Sequence, residues 1–288
     1  MFKRIIMIGI LGILAIILSA CNNIPRTGSL DKNSDSKDSN NREEPNQEES
    51  QLNQDEEDRI HAKLPEDYEL IRMNYTYNEI QAFYPQLTTE AGSGIQKEIN
   101  NIIQKDVNDI IKIYADTVET SVEIGETESH EFVLTIDYEI KLHNSKYLSI
   151  YYTADYSSKT AAYPFQMVYT TNIDMLNGYR LVLGDMVLLD DNFVNSFKTW
   201  DFTVVEEDNK DLKEAVSESF ADLNNEMLLK AMKNADLIGK ANTMGVFSYL
   251  TKDKLGISIS VPHALGDHVQ FEQKYNKLKE FLTTDVED

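Results

Sequence analysis

Cys21 is the only cysteine of the chain, and it follows Leu18-Ser19-Ala20. Small residues ahead of a cysteine at the end of an apolar run match the bacterial lipobox, Leu-Ser/Ala-Ala/Gly-Cys. There the thiol sulfur receives a diacylglyceryl group and the cysteine becomes the new N-terminus. The run extends from Ile5 to Leu18 behind the basic head Lys3-Arg4, and a short apolar stretch after positive charge reads as a secretion signal. Its 14 residues fall below the roughly 20 that span a bilayer comfortably. The sequence therefore predicts a lipoprotein signal peptide over residues 1–20 and lipidation at Cys21. Several acyl chains on one residue are enough for stable anchoring, so the expected location is the extracytoplasmic face of the cell membrane. The competing reading, a buried core cysteine, is disfavoured because a polar tract with no core to join follows Cys21.

The remaining chemistry-bearing residues form few patterns. The five histidines are His61, His130, His143, His263 and His268, and none has the His-x-x-x-His spacing that puts two ligands on one helix face. His263-Ala264-Leu265-Gly266-Asp267-His268 gathers two imidazoles and a carboxylate, an unspecific ligand list for a transition metal. The same six residues read as a polar turn with Gly266 at the bend, and that reading is preferred. Glu206-Glu207 and Asp190-Asp191 have the residue types of a general acid/base pair. In a chain with 49 acidic residues, adjacent pairs arise by chance. Ser217 and Ser219 lack a visible histidine partner. No nucleophile elbow, phosphate loop or dinucleotide fingerprint occurs. Tyr147, Tyr151, Tyr152 and Tyr156 suit a sheet face, with a ligand-stacking platform as the alternative. No catalytic residue, cofactor or metal site is assigned. One cysteine also excludes an intrachain disulfide framework and cysteine-based zinc or iron–sulfur ligation.

Charge restricts the partners. Lys+Arg number 27 against 49 Asp+Glu, a net charge of −22, whereas a general nucleic-acid binder needs a basic surface to displace phosphate counterions. Residues 1–30 carry +3 and residues 31–60 carry −7, leaving −18 for residues 61–288. A strongly acidic body steers cationic partners toward itself. Residues 31–60 have only Leu52 and Ile60 as large apolar side chains. Such a segment cannot offset its ordering entropy by burial, so residues 21–63 are expected to be a disordered acidic tether.

The elements that must position any site begin near Leu64. Tyr68–Tyr77 reads as a strand, and Ile80–Tyr84 as a second one stopped by Pro85. Ser93 and Gln96 have capping-box spacing. Ile95, Ile99, Ile102, Ile103, Val107, Ile110, Ile111, Tyr114 and Val118 then form one apolar stripe at helical offsets, which predicts a helix to about Glu119. Strands are expected at Phe132–Ile140, Tyr147–Tyr156, Gln166–Asp174 and Tyr179–Leu183, with a tight turn at Asn177-Gly178. Asp191–Trp200 reads as a short helix. Leu212, Val216, Phe220, Leu223, Met227 and Ala231 read as one helical pattern. Val246–Leu250 and Ile257–Val261 suit a hairpin across Thr251–Gly256, Val269–Phe271 a short strand, and Tyr275 to Leu282 a final short helix. The expected class is α+β, mainly antiparallel sheets packed against long helices. Two adjoining subdomains are predicted, 64–165 with strands and the long helix 94–119, and 166–288.

Several of these stretches together resemble the extracellular domain family shared by the anti-sigma factor RsiV and the region preceding the catalytic module of the deacetylase PdaC. The likeness rests on Tyr75-Thr76-Tyr77-Asn78, Tyr84-Pro85-Gln86-Leu87, Ile99-Asn100, Leu148-Ser149-Ile150-Tyr151-Tyr152 and Ala161-Ala162-Tyr163-Pro164. Asn172-Ile173-Asp174, Gly178, Leu183-Gly184-Asp185-Met186 and Val261-Pro262-His263 follow in the same order. Tyr163 and His263 depart from the residues usual in that family. The resemblance spans about residues 66–283 and implies a non-catalytic binding or sensing body of unknown general function. Because its anti-sigma members sense lysozyme, it implies a cationic envelope protein as a partner. Only Met1 to Arg4 precede the apolar run, so no sigma factor is expected as a partner. The alternative is a cell-wall-active enzyme or an accessory to a deacetylase or hydrolase.

Overall fold

The computed structural model describes residues 68–88, 94–123, 132–158, 164–203, 209–221, 223–239 and 241–286. Cys21, the signal peptide, the tether, His61, Ser93, His130, Ala161 to Tyr163 and Glu206-Glu207 lie outside them.

Strands β1 (Glu69–Tyr77) and β2 (Ile80–Thr88) form a hairpin. Its turn holds Asn78 at φ 51°, a left-handed conformation that asparagine tolerates better than most residues. β2 does not stop at Pro85. Its ladder to β3 covers only Ile80–Ala82, so Pro85 sits where one side of the strand carries no ladder bonds, a position proline tolerates. Helix α1 (Gly94–Glu123) runs past the expected end at Glu119 and leads to β3 (Phe132–His143), which lies parallel to β2. Parallel neighbours need a crossover connection, and α1 supplies it. The expected stripe is the packed one, with Ile99, Ile103 and Ile110 buried against the sheet. Strands β4 (Tyr147–Ser158), β5 (Phe165–Asp174) and β6 (Tyr179–Leu181) pair antiparallel in sequence order. The result is a six-stranded sheet, β1-β2-β3-β4-β5-β6. Its last two strands thus come from the stretch assigned to the second subdomain. Gly178 turns β5 into β6 at φ 69°, and a Cβ there would stand 3.3 Å from Ile95 Cγ2. Only glycine combines that backbone with so close an approach to α1.

The described residues after β6 form α2 (Leu183–Met186), α3 (Asp191–Phe197), β7 (Asp201–Thr203), α4 (Lys210–Ala221), α5 (Asn225–Lys233), β8 (Phe247–Leu250), β9 (Lys254–Ser260) and β10 (His268–Lys274). The single helical pattern expected from Leu212 to Ala231 is two helices. Asn224 begins the second, its side-chain oxygen accepting the Glu226 N–H at 2.7 Å, as an N-cap does. After β10 the chain makes a 3-10 turn at Tyr275–Lys277 instead of the expected helix. Tyr275, Leu278 and Phe281 are the buried residues there, and their spacing of three is the 3-10 period. The second sheet has the order β7-β10-β9-β8 and is antiparallel throughout. Its core is aromatic, with the Phe197 and Phe271 rings 4.6 Å apart and Trp200 against Phe193 and Phe197. The architecture is α+β with mainly antiparallel sheets.

Candidate functional site

Among the described residues, a dense convergence of polar side chains is buried where the two sheets meet. Asp106 projects from the packed face of α1, and one carboxylate oxygen pairs with Arg180 of β6. The other accepts the Thr171 hydroxyl at 2.5 Å. The second guanidinium nitrogen of Arg180 donates to the carbonyls of Thr170 at 3.2 Å and Asp236 at 2.7 Å. Asp236 follows α5 at φ 63°. Its carboxylate accepts the Leu183 N–H at 2.7 Å, the Ser248 N–H at 2.5 Å, the Ser248 hydroxyl at 2.6 Å and the Thr170 hydroxyl at 3.1 Å. One step further, Asn172 donates to the Ser248 carbonyl at 2.9 Å and accepts from Ser149, whose oxygen accepts the Leu250 N–H at 3.0 Å.

These contacts bind α1, β4, β5, β6 and β8 into one junction. Burial raises the Asp106 and Asp236 carboxyls above the ordinary carboxylate value, while Arg180 and the hydrogen bonds pull them down. Each carboxylate is buried and accepts hydrogen bonds from neighbouring elements, an arrangement that holds structure. Sequence reading missed Asp106, Arg180, Asp236 and Ser248. A signal existed for Asp106: it falls between Ile103 and Ile110 on the apolar stripe, where a carboxylate must find a partner.

The sequence candidates have other places. His263 Nδ1 lies 2.8 Å from Asp267 Oδ1, and Asp267 Oδ2 accepts the Gln166 N–H of β5 at 3.0 Å. Phe165 stacks on the His263 ring at 5.9 Å. The six-residue cluster is thus a turn that fastens the β9–β10 connection to β5. The His268 ring nitrogen Nδ1 is buried outside this pair, and burial lowers its pKa. Among the described residues no group of three or more ligand types stands at metal-binding spacing. Tyr147, Tyr151 and Tyr152 are buried and Tyr156 is half-buried. Among the described residues the exposed tyrosines are instead Tyr75, Tyr77 and Tyr179. His143 is exposed beside the Tyr68 ring. Asp190 caps α3 by accepting the Phe193 N–H at 2.8 Å, with Asp191 in the first turn. Ser217 and Ser219 are exposed on α4. Two surface depressions stand out, one of 420 Å³ bordered by Asp190, Asn195 and Glu280 and one of 370 Å³ bordered by Phe202, Lys254 and Lys277.

Three of the residues that carry the family resemblance hold turns and elements in place. Asn100 of α1 accepts the Leu87 N–H at 2.8 Å and donates to the Leu87 carbonyl at 2.9 Å, replacing a neighbouring strand for β2. Asp174 accepts the Leu176 and Asn177 N–H groups in the β5–β6 turn. Asp185 accepts the Val182 N–H at 2.9 Å and starts α2.

A family model described as deacetylase PdaC matches residues 71–157, which is β1 through β4 with α1. No curated protein matches the chain. Among solved structures, a DUF3298 family protein from Pseudomonas aeruginosa is similar at 9% identity, covering 78% of this chain and 98% of its own, with a TM-score of 0.43. A DUF3298 family member from Bacteroides fragilis is similar at 13% identity, covering 76% and 94%, with a TM-score of 0.42.

Proposed function

We propose that the protein is a lipid-anchored binding module of the cell surface whose acidic body takes a cationic envelope protein. The observation that carries this reading is where the negative charge lies. Residues 61–288 carry −18, and among the described residues only Asp106, Asp236 and Asp267 are buried acids. The remaining described carboxylates are exposed or half-exposed, and there they attract a cation over long range. The test titrates the full chain, held in a neutral detergent, against lysozyme and against cytochrome c as a basic control. Exposed charges are screened over about 8–10 Å near physiological salt. A specific interface should favour lysozyme by about tenfold, ~1.4 kcal/mol, at moderate salt. Equal binding of both proteins, lost together as salt rises, would leave only charge attraction and end this reading.

The anchor has its own test. Cys21→Ser should release the chain from the membrane fraction or leave an unprocessed precursor. Normal size with normal membrane retention would eliminate lipidation at Cys21. A second reading, an accessory to a cell-wall deacetylase, is supported by the description of the family model matched over residues 71–157. It predicts that the chain changes the rate of such an enzyme on cell-wall glycan, which a binder of cationic proteins does not.

A further inference from the structure

Among the described residues, the six-stranded sheet ends in a strand with little of the usual protection. Strand β1 pairs with β2 along all of Glu69–Tyr77, and its other side has no ladder partner among the described residues. The other sheet ends differ. β6 and β7 are three residues long, and β8 is buried at all four of its positions. Proteins blunt exposed edges with short strands, prolines, lysines or a cover, and β1 has nine residues with neither proline nor lysine. Its one cation, Arg72, is turned to its own sheet, 2.9 Å from Asp137 and 4.0 Å from the Phe83 ring centre.

One face of β1 is also apolar and only partly covered. Ile71, Met73, Tyr75 and Tyr77 alternate on the side that shares Ala82 and Ile80 with α1. Ile71, Tyr75 and Tyr77 are 42%, 40% and 61% exposed.

We propose that β1 is a self-pairing edge that joins two copies of this chain, antiparallel about Met73, into one twelve-stranded sheet. The strand's own sequence selects that occupant. Antiparallel pairing centred on Met73 sets Ile71 opposite Tyr75 of the second copy and Tyr75 opposite its Ile71. Aromatic–β-branched pairs of this kind favour strand association. On the opposite face Arg72 meets Asn74, and at the ends Glu69 meets Tyr77, so no like charges stand opposite one another. The two formal charges of β1 cancel, so the joint itself is neutral in a chain of net charge −22. Two-fold pairing of this kind keeps both α1 helices on the same face of the joined sheet, and the exposed Ile71, Tyr75 and Tyr77 of the two β1 strands lie between them. Repulsion between the acidic bodies opposes pairing, so added salt strengthens it. That is the reverse of the salt effect on binding a cationic protein, and the inference does not rest on the proposed function.

The test is disulfide trapping of the full chain in a lysate of cells that express it. Opposed residues of an antiparallel pair have Cα atoms about 4.5–5.5 Å apart, within the span a disulfide bridges. Met73→Cys should therefore give a covalent dimer on mild oxidation, more completely at higher salt. Asn74→Cys places the two thiols two residues, about 7 Å, out of register and should give several-fold less, as should Ser217→Cys on exposed α4. Ile71→Lys combined with Met73→Cys should abolish the dimer. Trapping by Met73→Cys no greater than by Ser217→Cys, or trapping mainly to a different protein, would overturn the inference.

Discussion

Asp236→Ala should destabilise the fold by about 3–5 kcal/mol, the usual loss when one partner of a buried charged network is removed. The substitution strands the buried N–H groups of Leu183 and Ser248 and removes acceptors from the Ser248 and Thr170 hydroxyls. Each stranded donor carries its own desolvation cost, about 1–3 kcal/mol. For a body of this size the melting temperature should fall by roughly 10 °C. Asp137→Ala, which removes an exposed partner of Arg72, should cost less than about 1 kcal/mol. Thermal unfolding of the two variants beside the parent decides the matter, and equal losses would show that the junction is not a stabilising centre. The pH response follows from the same burial. A carboxyl whose value is raised in the folded chain holds its proton more readily folded than unfolded. Its contribution is full below the unfolded value and is lost as pH rises through the folded one. Asp236→Asn, which cannot titrate, should lose that decline.

Ile103→Ala and Ile110→Ala should each cost about 2–5 kcal/mol, the range for emptying a buried aliphatic site. Both side chains are at 0–1% exposure between α1 and the six-stranded sheet. Lys105→Ala lies between them in sequence but on the outer face, where the lysine is paired with Asp109. An exposed pair one helical turn apart is worth about 0.3–0.5 kcal/mol. Denaturant midpoints should therefore fall clearly for the two isoleucine variants and barely for Lys105→Ala. Equal shifts in all three would mean that the stripe does not face a packed core.

The α1 stripe and most strands were legible because their information is local. A 3.6-residue or two-residue period repeats wherever one face is buried, and nothing distant is needed to see it. The break between α4 and α5 at Asn224 was less visible, since apolar residues in both helices continue one apparent period across the cap. The passage of β2 through Pro85 was not visible at all. It depends on how far β3 runs alongside, which Ile80–Ala82 alone does not encode.

The same division separates the resemblance from the site. Asn100, Asp174 and Asp185 are readable as motif residues because each acts within its own turn or on the adjacent element, and Gly178 because its positive φ is a local demand of the turn. The junction of Asp106, Arg180, Asp236 and Ser248 draws on residues 74 and 56 positions apart along the chain. Each is an ordinary polar residue in its local window, and only packing of the two sheets brings them together. The sequence by itself determined the α+β class, the apolar face of α1 and the acidity of the body, since these depend on residue type and period. The tertiary structure alone decided that three of those acids lie inside, that Tyr147, Tyr151 and Tyr152 are core, and that β1 has no second ladder partner among the described residues. Burial and strand neighbours are set by contacts between distant segments, which no local pattern contains.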